Sequence, residues 1–199
     1  MNLLAVDTAG ENLSVALESE GTVFSLRRST KIPHDEALLP AVESILKRAK
    51  IRWDDLDSAA VASGPGRFTG IRIGLSFAAM LGLKLRIPVL ALSRLEAVAE
   101  VCPAGKILGA LPGWKGEIYH QFFRRKKNLL ATVGEAAWVS PGDWPQVRGE
   151  AEARGNVVSL RETDASDLLA VARRRLASKK IPPFKPFYLK PAGYERPRR

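Results

Sequence analysis

A long apolar segment without a water-facing side constrains the fold of this chain more than any other feature. It follows the glycine-rich turn SGPGRFTG, and between Ile71 and Leu83 its polar residues are Arg72 and Ser76. A helix that is apolar around its whole circumference has to be covered on every side. A sheet and a neighbouring helix can each cover one side, so we expect a partner protein to cover the third. Complete burial within the chain is the alternative.

The same helix carries small residues at every fourth position. Such a row allows another backbone to approach closely, and we expect a partner to use it. The preceding amphipathic pattern, over His34–Lys50, predicts a second helix that contributes its first turns. The predicted partner interface comprises Gly70, Arg72, Gly74, Leu75, Ser76, Ala78, Ala79, Gly82, His34 and Leu38.

Glycines also mark the turn between the preceding strand and this helix. Backbone N–H groups at such a turn can hold a phosphate. The turn lacks the Gly-Lys-Ser/Thr of a P-loop, and it follows three strands and a helix, unlike a dinucleotide fingerprint. A nucleotide site is therefore one interpretation, and a tight turn that needs small residues is the other. The candidate nucleotide-binding residues are Asp7, Thr8, Gly64 and Gly66.

The order of strand and helix patterns is that of an α/β protein. Leu3–Thr8 and the two apolar runs after it predict a three-stranded antiparallel meander, and further strands are expected at Ser58–Ser63 and Ile87–Leu92. Four strand patterns follow in the second half. They are accompanied by a helix with Ser166 as its N-cap and by an extended, proline-rich tail that aromatic side chains hold to the body.

The break Pro103-Ala104-Gly105 coincides with a change in charge. It predicts an N-terminal lobe over residues 1–102 and a basic C-terminal lobe over residues 103–199. The net charge is +10, and residues 1–100 hold equal numbers of acidic and basic side chains, so the whole excess lies in the second half. This excess suggests a salt-sensitive surface for RNA, with an ordinary solvated surface as the alternative.

The sequence shows no convincing set of catalytic side chains. His34, His120 and the single Cys102 are too few for a usual zinc site, and no nucleophile–base pair stands out. We therefore expect no catalytic residue and no bound metal. A sugar-kinase-like phosphotransferase that binds ATP at Asp7–Gly10 and Ser63–Gly66 is the alternative, and the small number of histidines disfavours a metalloprotease.

The sequence also bears on where the protein resides. A single cysteine excludes an internal disulfide and favours a reducing compartment. The N-terminus lacks the basic region of a signal peptide, and no stretch approaches the roughly 18 uninterrupted apolar residues of a membrane span. We expect a cytoplasmic protein that does not enter the membrane.

Four segments, taken in order, carry a family resemblance. They read LLAVDTAGENLSVAL, HDEALLPAVESIL, ASGPGRFTGIRIGLSFAAMLGL and PVLALSRLEAVAE. Together they resemble the TsaB (YeaZ) family of bacterial tRNA threonylcarbamoyladenosine synthesis, within the wider glycoprotease-like group. The resemblance is close from Met1 to about Val101 and looser beyond, where GEIY and PFYLKP are similar to later family segments. It implies an actin-like/Hsp70-like ATPase (ribonuclease H-like) fold, with two lobes that are each built round a mixed β-sheet flanked by helices.

The resemblance further implies a role for the chain. Members of the family are non-catalytic scaffold or activator subunits that pair with TsaD, the paralogue that transfers threonylcarbamoyl to the adenosine beside the anticodon. The ATPase TsaE joins them, and TsaC supplies the activated threonylcarbamoyl group. The chain is expected to contact tRNA either indirectly, through its partners, or through its basic second half. A homodimer is possible when the subunit is isolated. The chain itself requires no cofactor, and ATP or ADP at the partner interface is compatible with this role.

Departures from the family and from the paralogue narrow these expectations. The paralogue's metal ligands, His-x-x-x-His, align with Arg94 and Val98, which cannot replace imidazole. Arg67 stands where family members usually have serine. Leu111 and Pro112 stand where the family shows an aspartate-containing segment. The resemblance therefore extends to the fold without extending to the metal site.

Overall fold

The structure, a computed structural model, describes residues 1–28, 32–103, 105–127 and 129–190. The chain forms two units. One consists of Met1–Arg94 and Asp164–Phe187, and the other consists of Leu95–Thr163 and the segment that starts at Tyr188. The predicted boundary between residues 102 and 103 follows the order of the chain. The units interleave instead, because a helix near the C-terminus packs on the first sheet.

The described residues form nine strands and five α-helices. The strands are β1 (Leu3–Asp7), β2 (Leu13–Ser19), β3 (Thr22–Arg28), β4 (Ser58–Gly64), β5 (Val89–Ser93), β6 (Gly105–Pro112), β7 (Ile118–Lys126), β8 (Leu129–Val139) and β9 (Asn156–Leu160). The helices are α1 (His34–Ala49), α2 (Phe68–Leu85), α3 (Arg94–Glu100), α4 (Trp144–Ala153) and α5 (Ala165–Ala177).

The first unit is built on a five-stranded sheet in the order β3-β2-β1-β4-β5. The antiparallel pairs β1–β2 and β2–β3 confirm the predicted meander. β4 and β5 extend the sheet in parallel with β1, so the carboxyl ends of these three strands lie along one edge. This edge is where the glycine turn meets the end of β1.

Helices cover both faces of the first sheet. Leu4 and Val6 of β1 share one apolar cluster with α1 and α2. Because side chains alternate along a strand, Leu3 and Ala5 point to the opposite face. α5 packs there against β1, β2 and β4, and its first amide donates to the Ser14 hydroxyl at 2.9 Å. The core of this unit is therefore a sheet between two helical layers.

Helix α1 begins and ends close to the predicted limits. Leu38, Val42 and Ile45 form a buried stripe on the sheet side, with acidic residues in the first turn and basic residues in the last. This charge order matches the helix dipole. The helix ends at Ala49, and its C-cap, Lys50, has a left-handed backbone and an amide that donates to the carbonyls of the last turn.

The second unit is built on a four-stranded sheet in the order β8-β7-β6-β9. The strands predicted in the second half are confirmed, and β6 pairs in parallel with β9. The sequence Ser140–Trp144 (SPGDW) predicts only the start of a turn or short helix, whereas α4 runs from Trp144 to Ala153. The predicted N-cap of α5 was wrong by two residues. Asp164 caps this helix, since its carboxylate accepts from the Ser166 amide at 2.8 Å.

The tail modifies one further expectation. The tail is held by its backbone, since the Phe187 amide donates to the Ser63 carbonyl at 2.8 Å, while Phe184 is 43% exposed. The tail residues after Lys190 lie outside the described residues.

Helix α2 is long enough and apolar enough, with a mean hydropathy of 1.3, to cross a membrane by length and composition alone. The count of uninterrupted apolar residues in the sequence did not predict such a segment. Helices that line a protein core pass the same test, and α2 packs on β4 and β5.

Candidate functional site

The carboxyl ends of β1 and β4 bring together the four residues predicted to bind a nucleotide. Asp7 and Thr8 are both fully buried at this edge, and each already has a partner within the chain. Asp7 Oδ1 accepts from the Ala9 amide at 2.8 Å, and the Thr8 hydroxyl donates to the Gly70 carbonyl at 2.7 Å. The sequence therefore identified neighbouring residues, but their polar groups hold the chain's own loops.

Gly64 and Gly66 are packed against backbone atoms of other segments. A Cβ on Gly66 would lie 2.3 Å from the Ala9 carbonyl oxygen, which accepts from the Arg67 amide at 2.8 Å. Gly64 has a φ of +119°, and a Cβ there would lie 2.4 Å from the Phe187 carbonyl oxygen. These contacts place both glycines in tight turns, where any side chain would collide with neighbouring backbone.

Arg94 lies between Asp7–Gly10 and the turn that contains Pro65, and we call these segments together with Arg94 the loop cluster. Sequence analysis named Arg94 as a position aligned with a metal ligand of the paralogue and missed its contact with Asp7. Its side chain is 2% exposed and that of its partner, Asp7, is 1% exposed. Nε donates to Asp7 Oδ2 at 3.0 Å, and Nη1 donates to the Pro65 carbonyl at 3.1 Å. A signal was present in the sequence, since this arginine stands between an apolar strand and the apolar run of α3. A charge in such surroundings requires an opposite charge nearby.

The row of small residues on α2 faces the chain's own sheet. A Cβ on Gly70 would lie 2.0 Å from the Thr8 carbonyl oxygen, and one on Gly74 would lie 3.0 Å from a Val61 methyl group. Ala78, next in the row, is 2% exposed. This corrects the predicted interface at these three positions. The spacing indicated a close backbone approach, but β1 and β4 make that approach.

The other predicted interface residues on α2 fall into two groups. Leu75 is buried, and a Cβ on Gly82 would lie 2.6 Å from the Val89 side chain, so these two also belong to the interior of the first unit. Arg72 and Ser76 are exposed and Ala79 is half-buried. The guanidinium of Arg72 lies over the Phe68 ring, 3.8 Å from its centroid.

The outer faces of α1 and α2 enclose an open apolar groove of about 540 Å³, which we call the α1–α2 groove. Helix α1 contributes Asp35, Leu38 and Leu39, and helix α2 contributes Thr69, Arg72, Ile73, Ser76, Phe77 and Met80. Leu39 is 47% exposed, Met80 is 61% exposed, and Leu83, one turn further along α2, is 83% exposed. This is the third side of the apolar helix, and nothing in the described part of the chain covers it.

A smaller cavity of about 330 Å³ lies at the start of both helices. His34, predicted at the interface, lines it together with Arg67 and Thr69. The Nδ1 atom of His34 is 3.2 Å from the Thr8 carbonyl oxygen. This histidine therefore connects the beginning of α1 to the end of β1, next to the loop cluster.

The second histidine, His120, belongs to the second unit. His120 is buried in the second unit with its ring 6.3 Å from those of Phe122 and Trp144, and burial lowers its pKa. Within residues 1–28, 32–103, 105–127 and 129–190, no group of three or more His, Cys, Asp or Glu side chains could hold a metal ion. The charge excess is concentrated near the end of the chain, since residues 164–199 hold ten basic and three acidic side chains.

Comparisons with known proteins identify the family. The family model described as TsaD, tRNA N6-adenosine threonylcarbamoyltransferase, matches residues 28–157. The tRNA threonylcarbamoyladenosine biosynthesis protein TsaB of Bacillus subtilis (strain 168) is 32% identical over 176 residues, which cover 85% of this chain and 77% of that protein. The chain belongs to the TsaB (YeaZ) family. The resemblance stated from the sequence is thereby confirmed.

Two further members of the TsaB (YeaZ) family extend the comparison. TsaB of Escherichia coli (strain K12) is 35% identical over 132 residues, covering 64% of this chain. The match spans 57% of that relative, which is under two thirds of its length. The structure of YeaZ from Pseudomonas aeruginosa superposes with a TM-score of 0.76 at 27% identity, covering 94% of this chain and 99% of that one. The predicted fold class, with two mixed sheets flanked by helices, is confirmed.

Proposed function

We propose that this chain is a non-catalytic subunit required for transfer of threonylcarbamoyl to the adenosine beside the anticodon of tRNA. It acts by binding a TsaD-type catalytic subunit through the α1–α2 groove. Its membership of the TsaB family, and the role of its relatives as tRNA threonylcarbamoyladenosine biosynthesis proteins, support the pathway. The observation that carries the mode of action is the uncovered apolar side of α2.

The exposed apolar side chains in the groove and one turn beyond it on α2 have the character of a protein interface. Leu39, Met80 and Leu83 are large, apolar and close to half exposed or more. Contiguous apolar surface of this kind marks interaction sites in soluble proteins. Asp35 and Arg72 stand at the polar margin, and such a rim around an apolar centre is typical of specific complexes. We infer that the partner contributes apolar helices to this groove.

The loop cluster supports an accessory role. The one carboxylate at the end of β1, Asp7, is engaged by Arg94 and by a backbone amide, whereas a phosphotransferase would need it free to face metal-bound phosphate. The two histidines lie in different units, so they cannot act as one pair of ligands within either unit. We propose that catalysis resides in the partner, in the cytoplasm, with a TsaE-type ATPase as a third component.

The basic end of the chain suggests how tRNA is engaged. Lys179, Lys180 and Lys185 are exposed at and beyond the end of α5, and they belong to the first unit. Clustered cations of this kind bind phosphate backbones without reading sequence. In the proposed complex they contribute salt-sensitive affinity for tRNA, while the partner positions the adenosine.

The proposal is tested with Met80→Glu and Leu83→Glu, each placing a charge in the apolar interface. Val23→Glu is the matched control, because Val23 is an exposed apolar residue (49%) on the edge strand β3 of the same unit. Binding to the TsaD-type subunit of the same organism is measured by calorimetry, and tRNA modification is measured in the reconstituted system. We expect the groove variants to lose at least about tenfold in affinity, together with modification activity.

Two outcomes would contradict the proposal. Affinities of both groove variants within about threefold of the Val23→Glu control would exclude this surface as the interface. Full modification of tRNA in the absence of the chain would exclude a required subunit. Circular dichroism of each variant separates a loss of binding from a loss of folding.

A further inference from the structure

The buried guanidinium of Arg94 connects three separate segments of the first unit. It pairs with Asp7 at the end of β1 and donates to the Pro65 carbonyl in the turn between β4 and α2. In the turn between β1 and β2, a Cβ on Gly10 would lie 2.9 Å from Nη2. One side chain therefore spans the sheet edge where a ligand would otherwise have access to the carboxylate.

The charge of Asp7 and the oxygen atoms around it indicate what Arg94 replaces. A buried carboxylate requires a counter-charge. At the open end of a parallel sheet that counter-charge could be a divalent cation, because Asp7 Oδ2 and the Pro65 carbonyl oxygen are the hard oxygen ligands that such cations prefer. Both atoms instead accept hydrogen bonds from the same guanidinium. The planar, permanently charged group of arginine suits this use.

We propose that Arg94 is an internal counter-ion that excludes a divalent cation from Asp7 and clamps the β1–β2 turn to the β4–α2 turn. The clamp extends to helix α2, because the Arg67 amide donates to the Ala9 carbonyl at 2.8 Å and α2 begins at the next residue. The first turn of α2 contains Thr69, which lines the α1–α2 groove. Arg94 is thus a positioning residue for the docking surface, and this part of the inference rests on the proposed function.

The test begins with Arg94→Ser, which removes the guanidinium from both oxygen ligands, and with the double variant Arg94→Ser/Asp7→Asn, which removes the carboxylate as well. Arg173→Ser is the matched control, because Arg173 also pairs with a carboxylate of the first unit, that of Glu18, but its side chain is 47% exposed. Mn²⁺ serves as the probe, and its binding is followed by electron paramagnetic resonance. The wild type is expected to bind no Mn²⁺ at Asp7, Arg94→Ser to gain a site, and the double variant to lose it again.

Two further measurements separate the clamp from general destabilisation. Affinity for the TsaD-type subunit is expected to fall by at least about tenfold in Arg94→Ser and to change by less than about threefold in Arg173→Ser. Saturating Mn²⁺ should restore most of the lost affinity, since the cation replaces the missing counter-charge. A substitution that merely loosened the fold would not respond to the metal.

The inference is overturned if wild-type protein binds Mn²⁺ in a manner that Asp7→Asn abolishes, because Arg94 would then not exclude the cation. It is also overturned if Arg94→Ser folds without gaining a site. If Arg94→Ser fails to fold, Arg94→Lys is used instead. Because lysine keeps the positive charge, this variant must still exclude Mn²⁺, and Mn²⁺ binding by it at Asp7 would overturn the inference. The Mn²⁺ measurements need no partner, so they fail or succeed independently of the proposed docking function.

Discussion

A single methyl group added to Gly70 tests how closely α2 approaches the sheet. In the structure a Cβ on this glycine would lie 2.0 Å from the Thr8 carbonyl oxygen, about 1.4 Å short of the 3.4 Å at which ordinary contact begins. The obstructing atom belongs to the backbone at the end of β1, so it cannot swing aside as a flexible side chain would. We expect Gly70→Ala to force α2 away from the strand.

The size of the effect follows from two opposing terms. Overpacking a well-filled interior costs up to about 3 kcal/mol, whereas replacing glycine by alanine within a helix stabilises it by about 1 kcal/mol. The expected net loss in the free energy of unfolding is therefore about 2 kcal/mol. For a chain of this length that loss corresponds to a fall in Tm of roughly 4–8 °C.

The control is the same substitution at Gly149. It lies in helix α4, and a Cβ there would meet nothing within 4 Å, so Gly149→Ala should raise stability by about 0.5–1 kcal/mol. Urea unfolding followed by circular dichroism measures both variants, and amide hydrogen exchange assigns each change to its unit. A Gly70→Ala protein as stable as the wild type would refute the close approach, and a destabilised Gly149→Ala protein would refute the reasoning about open space.

Three further predictions concern burial, capping and protonation. Leu81→Ala should lower the free energy of unfolding by about 2–4 kcal/mol, because the Leu81 side chain is only 7% exposed. Leu83→Ala should lower it by under about 0.5 kcal/mol, because Leu83 is 83% exposed. Urea titrations measure both, and equal losses would contradict an outward-facing Leu83. Asp164→Ala should lower the Tm and the free energy of unfolding, the latter by about 1 kcal/mol, because Asp164 is the N-cap of α5. Ser166→Ala should leave both unchanged. A larger loss in Ser166→Ala than in Asp164→Ala would instead make Ser166 the N-cap. Burial lowers the pKa of His120, so below about pH 6.5 the unfolded state binds a proton more readily than the folded state does. The free energy of unfolding, measured by urea titration, should therefore decrease as the pH falls below this value. The same decrease in a His120→Phe protein would assign the pH dependence to other groups.

The sequence predicted most elements of the first unit because local pattern and tertiary environment agree there. The apolar stripe of α1 and the alternation in β2 and β3 are read directly from residue spacing. The length of helix α4 was underestimated, as a turn or short helix, because this segment has no apolar stripe. It is supported instead by i,i+4 pairs such as Arg148 with Glu152, at 2.8 Å, a signal that apolar periodicity does not contain.

The candidate site was predictable in outline but not in orientation. Residue spacing on α2 identified one row of small side chains and an apolar helix that needs cover on three sides. Spacing does not say which side faces the sheet, and the small residues, Gly70 and Gly74, turned out to face it. The counter-ion Arg94 is 87 residues from Asp7, a pairing that depends on the parallel order of β1, β4 and β5 and therefore on the completed topology.

The interleaved path of the chain also determines the order in which the parts of the first unit become available for folding during translation. Leu3 and Ala5 emerge from the ribosome first, yet α5, the helix that covers their side of the sheet, is translated only after residues 95–163 of the other unit. At ordinary elongation rates that interval lasts roughly 3–14 seconds. Throughout it the nascent sheet carries one bare apolar face, so the first unit completes its fold near the end of translation. The growing polypeptide is therefore a natural client for chaperones that shield apolar surface until α5 arrives.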